Sequence, residues 1–590
     1  QGTHSDRLYD LRTTCLDLRR VSLDALAEAL TEADPTTVEK AATAAANLPR
    51  LASCADTQAL GQAVAPPDDP KVAERVLVLR QALTRAQTLG DAGKFRRALE
   101  LVAPLRTEAE KIGYKPLLAE AELREGSLEM ELGKLPEAET SLSTALALGI
   151  ASAADPVALE ALSKRIFLRA SRLGEPARAL PDVAYGRAFL DRVGADPVLA
   201  GLFFNNVGAM YDRLGDVDAA RVAFDAALTG IGKDRPDADL AITLANLGAL
   251  YTDVAFDPGR AAAPYARALG LAEATLGPHH PHTLMISANL GIAGLERGKY
   301  LEARTTFDAA ILNAGETFGR ETRTYGAFLA QRGLLELAVH DFSAAVQTLE
   351  QALALSRGPD GQDDPSTAWI VANLAAAHGG RGDWSNASDL FAKAVTLLET
   401  SNPIVLTSVL DSYGQMLCLK GDHVGCLAKY QRALELREAK LPPGTPSIGY
   451  ALDGVGQALT KLGRHDEALV ALERAREILE KGLSPDSPLI ARVQRSLGEL
   501  AMARGDAAAA VTHFQRSLDV FAMVRDPEDG EMAVARINLA QALAARAGAT
   551  ASDRSAATAT VTEALAVLER RGAGWTRERE AASTWLKSQV

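Results

Sequence analysis

The sequence predicts an all-α fold: a right-handed α-solenoid of about twelve helix-turn-helix repeats behind an N-terminal helical hairpin. Three observations carry this. A block of about 42 residues recurs through the 590-residue chain. Within each block the apolar positions fall three and four apart, the period of one helix face. A glycine follows the first small residue of most blocks by about seven positions, where it can end a helix in the left-handed conformation. Self-similarity this regular means one supersecondary unit stacked on copies of itself.

The elements follow in order. An opening helix is expected over about Asp6–Ala33 and a second over about Pro35–Ala46, making the hairpin of residues 1–70. The repeat array then occupies 71–570, and a capping helix 571–590. Twelve copies align on Ala86, Gly126, Phe167, Gly208, Gly248, Gly291, Gly333, Ala375, Gly414, Gly456, Gly498 and Ala540, at intervals of 39 to 43 residues. The small residue on helix one and an alanine on helix two, such as Ala220, Ala303 or Ala468, mark the closest crossing, where a larger side chain would hold the helices apart. An aromatic residue or leucine four positions later is expected to fill the gap towards the next copy. Some copies depart from the pattern. Phe167 replaces the small residue, His340 the turn glycine, and one residue is inserted before Ala261; Glu125 and Arg332 take positions that are usually apolar. Looser or rearranged crossings are expected there.

Composition narrows the function. The net charge of −13 argues against general binding to nucleic acid or anionic membrane. No apolar run is long enough to span a bilayer. The chain opens at Gln1 without Met or a signal peptide, as a piece cut from a longer protein would. The four cysteines form two pairs. Cys15 and Cys54 belong to the hairpin and could meet; Cys418 and Cys426 flank the turn of one repeat. Pairable cysteines are consistent with an oxidising compartment, and four buried thiols acting as small hydrophobes are the alternative.

No catalytic constellation emerges. Gly294-Leu-Glu-Arg-Gly298-Lys299 is one residue short of a phosphate-binding loop and is followed by Tyr300. His279, His280 and His282 have no fourth Cys or His nearby to complete a tetrahedral metal site. His378-Gly379-Gly380 stands without a nucleophile elbow. The acidic linker Asp526–Glu531 lacks calcium-loop spacing. Neither metal nor cofactor is expected.

The repeat resembles the tetratricopeptide repeat over about residues 75–570, though that family's usual period is about 34 residues. The longer copies look like those of kinesin light chains, whose linker Leu276-Gly-Pro-His-His-Pro-His-Thr283 matches closely. The resemblance implies a concave face lined by the first helix of each copy. The residue two before the small position would point into that groove: Asn206, Asn246, Asn289, Gln331 and Asn373, with Asn538 further on. An amide offers donors and an acceptor together, so a ladder of them can grip the backbone of an extended peptide. The other reading, amides tying neighbouring helices together, stays open. Leu295, Leu334, Leu337 and Trp369 would supply apolar pockets. Asp411, Gln415, Asp453 and Gln457 would make the groove polar and acidic beyond them.

A narrower resemblance rests on Leu11-Arg-Thr-Thr-Cys15-Leu-Asp-Leu-Arg-Arg20, Leu48-Pro-Arg-Leu-Ala-Ser-Cys54-Ala-Asp56 and Gly113-Tyr-Lys-Pro-Leu-Leu-Ala-Glu-Ala121. It looks like the segment after the membrane helix in bacterial serine/threonine kinases with a C-terminal tetratricopeptide array. That resemblance implies a sensor or scaffold arm, extracytoplasmic in a membrane-anchored kinase, which binds a protein or peptide and transfers no phosphoryl group. A free cytoplasmic adaptor that self-associates, or a small-molecule sensor, is the alternative.

Overall fold

The computed structural model describes residues 2–589 except 35–36, 38–39, 42–43, 46, 50, 56–59, 61–63, 65–66, 194–196, 232–237, 255–256, 358–362, 400–402 and 526–528. No strand occurs among the described residues. The chain divides into two compact units, Gln1–Leu247 with Arg267–Thr283, and Gly248–Ala266 with Leu284–Val590.

The first unit opens with α1 (Gly2–Thr31) and a short 3-10 turn, Leu51–Ala55. The expected second hairpin helix, Pro35–Ala46, lies largely outside the described residues. Paired helices follow: α2 (Pro70–Asp91) with α3 (Phe95–Ile112), α4 (Lys115–Glu131) with α5 (Leu135–Ala151), α6 (Asp155–Phe167) with α7 (Leu180–Val193), and α8 (Pro197–Arg213) with α9 (Val217–Ile231). The division between units falls within the fifth pair, α10 (Ala238–Ala249) and α11 (Pro258–Thr275).

In the second unit the pairs are α12 (Pro281–Glu296) with α13 (Tyr300–Phe318), α14 (Arg323–Ala338) with α15 (Phe342–Ser356), α16 (Ala368–Gly380) with α17 (Trp384–Leu398), and α18 (Pro403–Lys420) with α19 (His423–Lys440). Then come α20 (Pro446–Lys461) with α21 (His465–Gly482), α22 (Pro488–Ala503) with α23 (Ala507–Val524), and α24 (Gly530–Ala545) with α25 (Ala551–Arg571). The last helix is α26 (Thr576–Ser588).

Local chemistry sets the turns. Gly463 closes α20 with φ 75°, a conformation that costs a residue with a Cβ about 1–2 kcal/mol. An aspartate after the glycine often starts the next helix. Asp422 accepts from the Gly425 amide at 2.9 Å and Asp506 from that of Ala509 at 3.0 Å, which satisfies a donor the helix leaves open. The inserted residue of the fifth copy coincides with a π turn, Leu250–Val254, the usual way a helix absorbs one extra residue. A second π turn, Leu168–Arg172, follows Phe167.

The crossings add a contact that the sequence reading did not name. A Cβ on Gly208 would lie 2.6 Å from the Phe224 ring, one on Gly291 2.5 Å from Phe307, and one on Gly456 2.4 Å from Leu472. The large residue of helix two therefore sits on the small residue of its own copy, and in the ninth copy Tyr430 also reaches the next, 2.4 Å from where a Cβ on Gly454 would stand. Phe224 and Phe307 are 1% exposed, so each contributes about 1.5–3 kcal/mol of burial. Glu125 and Arg332 are accommodated by ion pairs, to Arg106 at 2.6 Å and to Glu336 at 3.1 Å.

Buried side chains form a core that travels along the array, not a central one. In the second unit one cluster runs from Leu329 to Ala535. In the first, one spans Leu26 to Leu128 and another Leu123 to Ala223. The Cys15–Cys54 disulfide, with Cα atoms 5.6 Å apart, joins α1 to the 3-10 turn. Arg97 holds Glu28 and Glu32 on α1, each at 2.7 Å. Cys418 and Cys426 are also bonded, stapling α18 to α19.

Candidate peptide groove

The amide position behaves differently in the two units. In the first, the side chain two residues before the small position is tied in each copy from the second to the fifth. Arg124 pairs with Glu160 at 2.9 Å. Arg165 forms a two-pronged pair with Asp182, at 2.8 and 3.1 Å. Asn206 is buried and its Nδ2 donates to the Ser163 carbonyl at 3.0 Å. Asn246 Nδ2 donates to Asn205 Oδ1 at 3.0 Å. Asn206 therefore does not point to solvent as the sequence reading expected. Its amide closes a backbone bond between neighbouring copies, which a buried carbonyl needs.

In the second unit Asn289, Gln331 and Asn373 hold the same register on α12, α14 and α16. All three are half-buried. Among the described residues none of them bonds a protein group, and Gln331 Oε1 is buried without a donor. Leu295 is half-buried against Ala303, Phe307 and Leu335. Leu337 and Trp369 lie half-buried on the long core, and Leu334 is half-buried as well. Three unbonded amides thus share their helices with partly covered apolar side chains.

Further along, the acidic character expected from Asp411 and Asp453 is cancelled. Arg437 Nη1 donates to buried Asp411 Oδ1 at 3.1 Å. Asp453, 1% exposed, accepts from Arg492 at 2.6 Å and from Gln457 at 2.7 Å. Arg492 also lies over the Tyr450 ring, 4.4 Å from its centroid. Buried carboxylates need such partners, because desolvation otherwise costs more than folding can supply.

The first unit holds a cavity of about 230 Å³ between Arg80, Glu120, Arg124 and Glu160, floored by Leu83, Val157 and Leu199. Arg80 grips Glu120 at 2.7–3.0 Å, so these charges are already matched in pairs. Burial pushes the nearby Asp91 carboxyl up to about 6, against the pull of Lys164 and Arg124. The His280 and His282 rings stack at 5.3 Å. Burial, then His282 and Lys40, press the His280 pKa down to about 4. No group of residues suited to hold a metal occurs among the described residues. Sequence reasoning missed the ion-pair ladder. Its signal was an arginine or lysine facing a glutamate one block later, as in Arg80 and Glu120 or Arg124 and Glu160.

Tetratricopeptide-repeat family models match residues 406–481 in one form, and 83–158 and 456–529 in another. A protein of Arabidopsis thaliana described as kinesin light chain-related 3 is 29% identical over 123 residues, 20% of this chain. The match spans about a fifth of that relative's length, 19%. Among solved structures, BtubC (BKLC) from P. vanneervenii is 20% identical, with 39% of this chain and 92% of that one covered and a TM-score of 0.33. A Rap protein complexed with Competence and Sporulation Factor is 13% identical, with 69% and 98% covered and a TM-score of 0.46. Matched segments lie in each unit, in copies of the same block. Tetratricopeptide repeats thus occur in both units of the chain, within the all-helical array described above.

Proposed function

We infer that the second unit takes an extended peptide along α12, α14 and α16. Asn289, Gln331 and Asn373 hold its backbone, and Leu295, Leu334, Leu337 and Trp369 take its apolar side chains. The observation that carries this is Gln331, whose buried Oε1 has no donor. A buried acceptor left unmade costs about 1–3 kcal/mol, and a peptide N–H would recover it. Asn206 and Asn246, already bonded within the array, are helix ties and not part of this grip. Selection of displayed peptides on the full chain tests the reading. Enriched sequences should be apolar and should lose binding to a chain carrying N289A, Q331A and N373A. Peptides that bind the triple variant equally well would overturn it.

The finer assignment is a sensor arm of a membrane-anchored kinase. Two disulfides, Cys15–Cys54 and Cys418–Cys426, fit an oxidising compartment and so support an extracytoplasmic place. The sequence encoded upstream decides it: a kinase domain and one apolar helix are expected, and their absence would reject it. One observation favours self-association as a second reading. Tyr9, Leu16, Leu23 and Leu30 are all exposed on α1, seven residues apart, as on the seam of a coiled coil. Sedimentation of the wild type beside an L16E/L23E variant tests it, since only a real seam would give a lighter species in the variant.

A further inference from the structure

The seventh copy breaks the turn rule. Where most copies have glycine, His340 adopts φ 61°, a left-handed conformation that is costly for a residue with a Cβ. The strain coincides with a contact far along the chain. His340 Nδ1 lies 3.0 Å from the Gly574 carbonyl oxygen, 234 residues away. A carbonyl only accepts, so Nδ1 carries the proton. The imidazole also stacks on Trp575, centroids 4.2 Å apart and planes 21° apart, and on Phe342 at 5.3 Å. Trp575 is 7% exposed, and a Cβ on Gly530 would come within 2.2 Å of its indole. A Cβ on Gly574 would lie 2.0 Å from that of His340, so only glycine permits the approach. A second tie lies one copy earlier. Arg525 Nη1 donates to the Tyr300 hydroxyl at 2.6 Å across 225 residues, and the Arg525 side chain covers Gly298 at 2.8 Å from where a Cβ would stand. Both ties belong to the second unit, and both join a helix turn to a segment more than five copies further on.

We propose that His340, Gly574 and Trp575 form a latch that fastens the C-terminal helix to the seventh copy, closing the second unit into a loop of copies where an open solenoid would fray. Open arrays contact only nearest neighbours, and their terminal helices exchange amide hydrogens first. The latch makes the stability of α26 depend on the turn after α14, far away in sequence. The helix that ends at this turn carries Gln331, Leu334 and Leu337. Opening the latch frees that end of the groove, a consequence that rests on the peptide reading above.

Hydrogen exchange of the full chain without any peptide tests the latch independently of the groove. His340→Gly restores the residue most other copies use, so α14 and α15 should keep or gain protection. Residues 576–588 should meanwhile exchange about tenfold faster. Gly574→Ala attacks the contact from the other side, leaves the seventh copy untouched, and should give the same acceleration. Unchanged protection of 576–588 in both variants would overturn the latch. So would slower exchange there in His340→Gly, because a merely strained turn would profit from glycine everywhere.

Discussion

One register position does two jobs in this chain. In the first unit it is a tie: Arg124, Arg165, Asn206 and Asn246 each bond a neighbouring helix or its side chains. In the second unit Asn289, Gln331 and Asn373 stand at the same place and bond nothing in the array. The difference teaches that a repeated residue type does not carry a repeated role. What decides is whether the adjacent copy offers a partner. Ser163 lends its carbonyl to Asn206 and Asn205 its side-chain oxygen to Asn246. Among the described residues no counterpart meets the three amides further on.

The sharpest way to break this comparison lies within the second unit, where charge and amide regions follow one another. Asp411→Ala would leave Arg437 buried and unpaired. It should cost about 3–5 kcal/mol in denaturant unfolding of the second unit; a loss below about 1 kcal/mol would show the pair to be unimportant. Next comes the direct contrast. Asn206→Ala should destabilise the first unit by about 1–3 kcal/mol because a buried carbonyl loses its donor. Asn289→Ala and Asn373→Ala should each stay within about 0.5 kcal/mol. Equal costs at all three sites would erase the distinction between tie and grip.

Binding sharpens it further. Against a peptide selected on the wild type, the double variant N289A/N373A should bind about tenfold more weakly, two net hydrogen bonds being lost. Asn246→Ala should leave the affinity unchanged. The reverse pattern in titration calorimetry would move the site to the first unit.

The smallest expected effect is a pH dependence confined to the first unit. His280 is held neutral, its pKa pressed down to about 4, while the unfolded chain takes up a proton near 6.5. Protons therefore favour unfolding within that window, and stability is lost as pH falls through it and is fully present above it. His280 alone should cost the first unit about 2 kcal/mol on going from about pH 7.5 to about pH 5. Asp91, which takes up its proton near 6 in the folded unit, should offset part of it. Hydrogen exchange should show the smaller net loss in the wild type, and His280→Gln should abolish or reverse it. No change in the variant would mean that another group titrates.

Much of the fold was legible because the repeat is a local code. Spacing gave the helices, the glycines gave the turns, and small residues gave the crossings. Gly208, Gly291 and Gly456 lie under Phe224, Phe307 and Leu472, a contact between residues sixteen apart in one block. The groove was legible only in part. Its register could be read, but not which amides were already bonded, because Asn206 finds its partner in the backbone of another copy. The acidic patch was misread for the same reason. Asp411 announces its charge in the sequence, while Arg437, 26 residues on, reaches it only once the helices pair.

By itself the sequence determined the unit: its two helices, its turn, its period and the small residues where its two helices cross. These are short-range matters, set by propensity, periodicity and the space a Cβ occupies. Only the tertiary structure decided which identical amides are ties and which are open, which carboxylates are neutralised, and that His340 meets Trp575. Those outcomes depend on the small rotation added at every copy. That rotation accumulates over more than five blocks before two turns touch, and no local pattern records its sum.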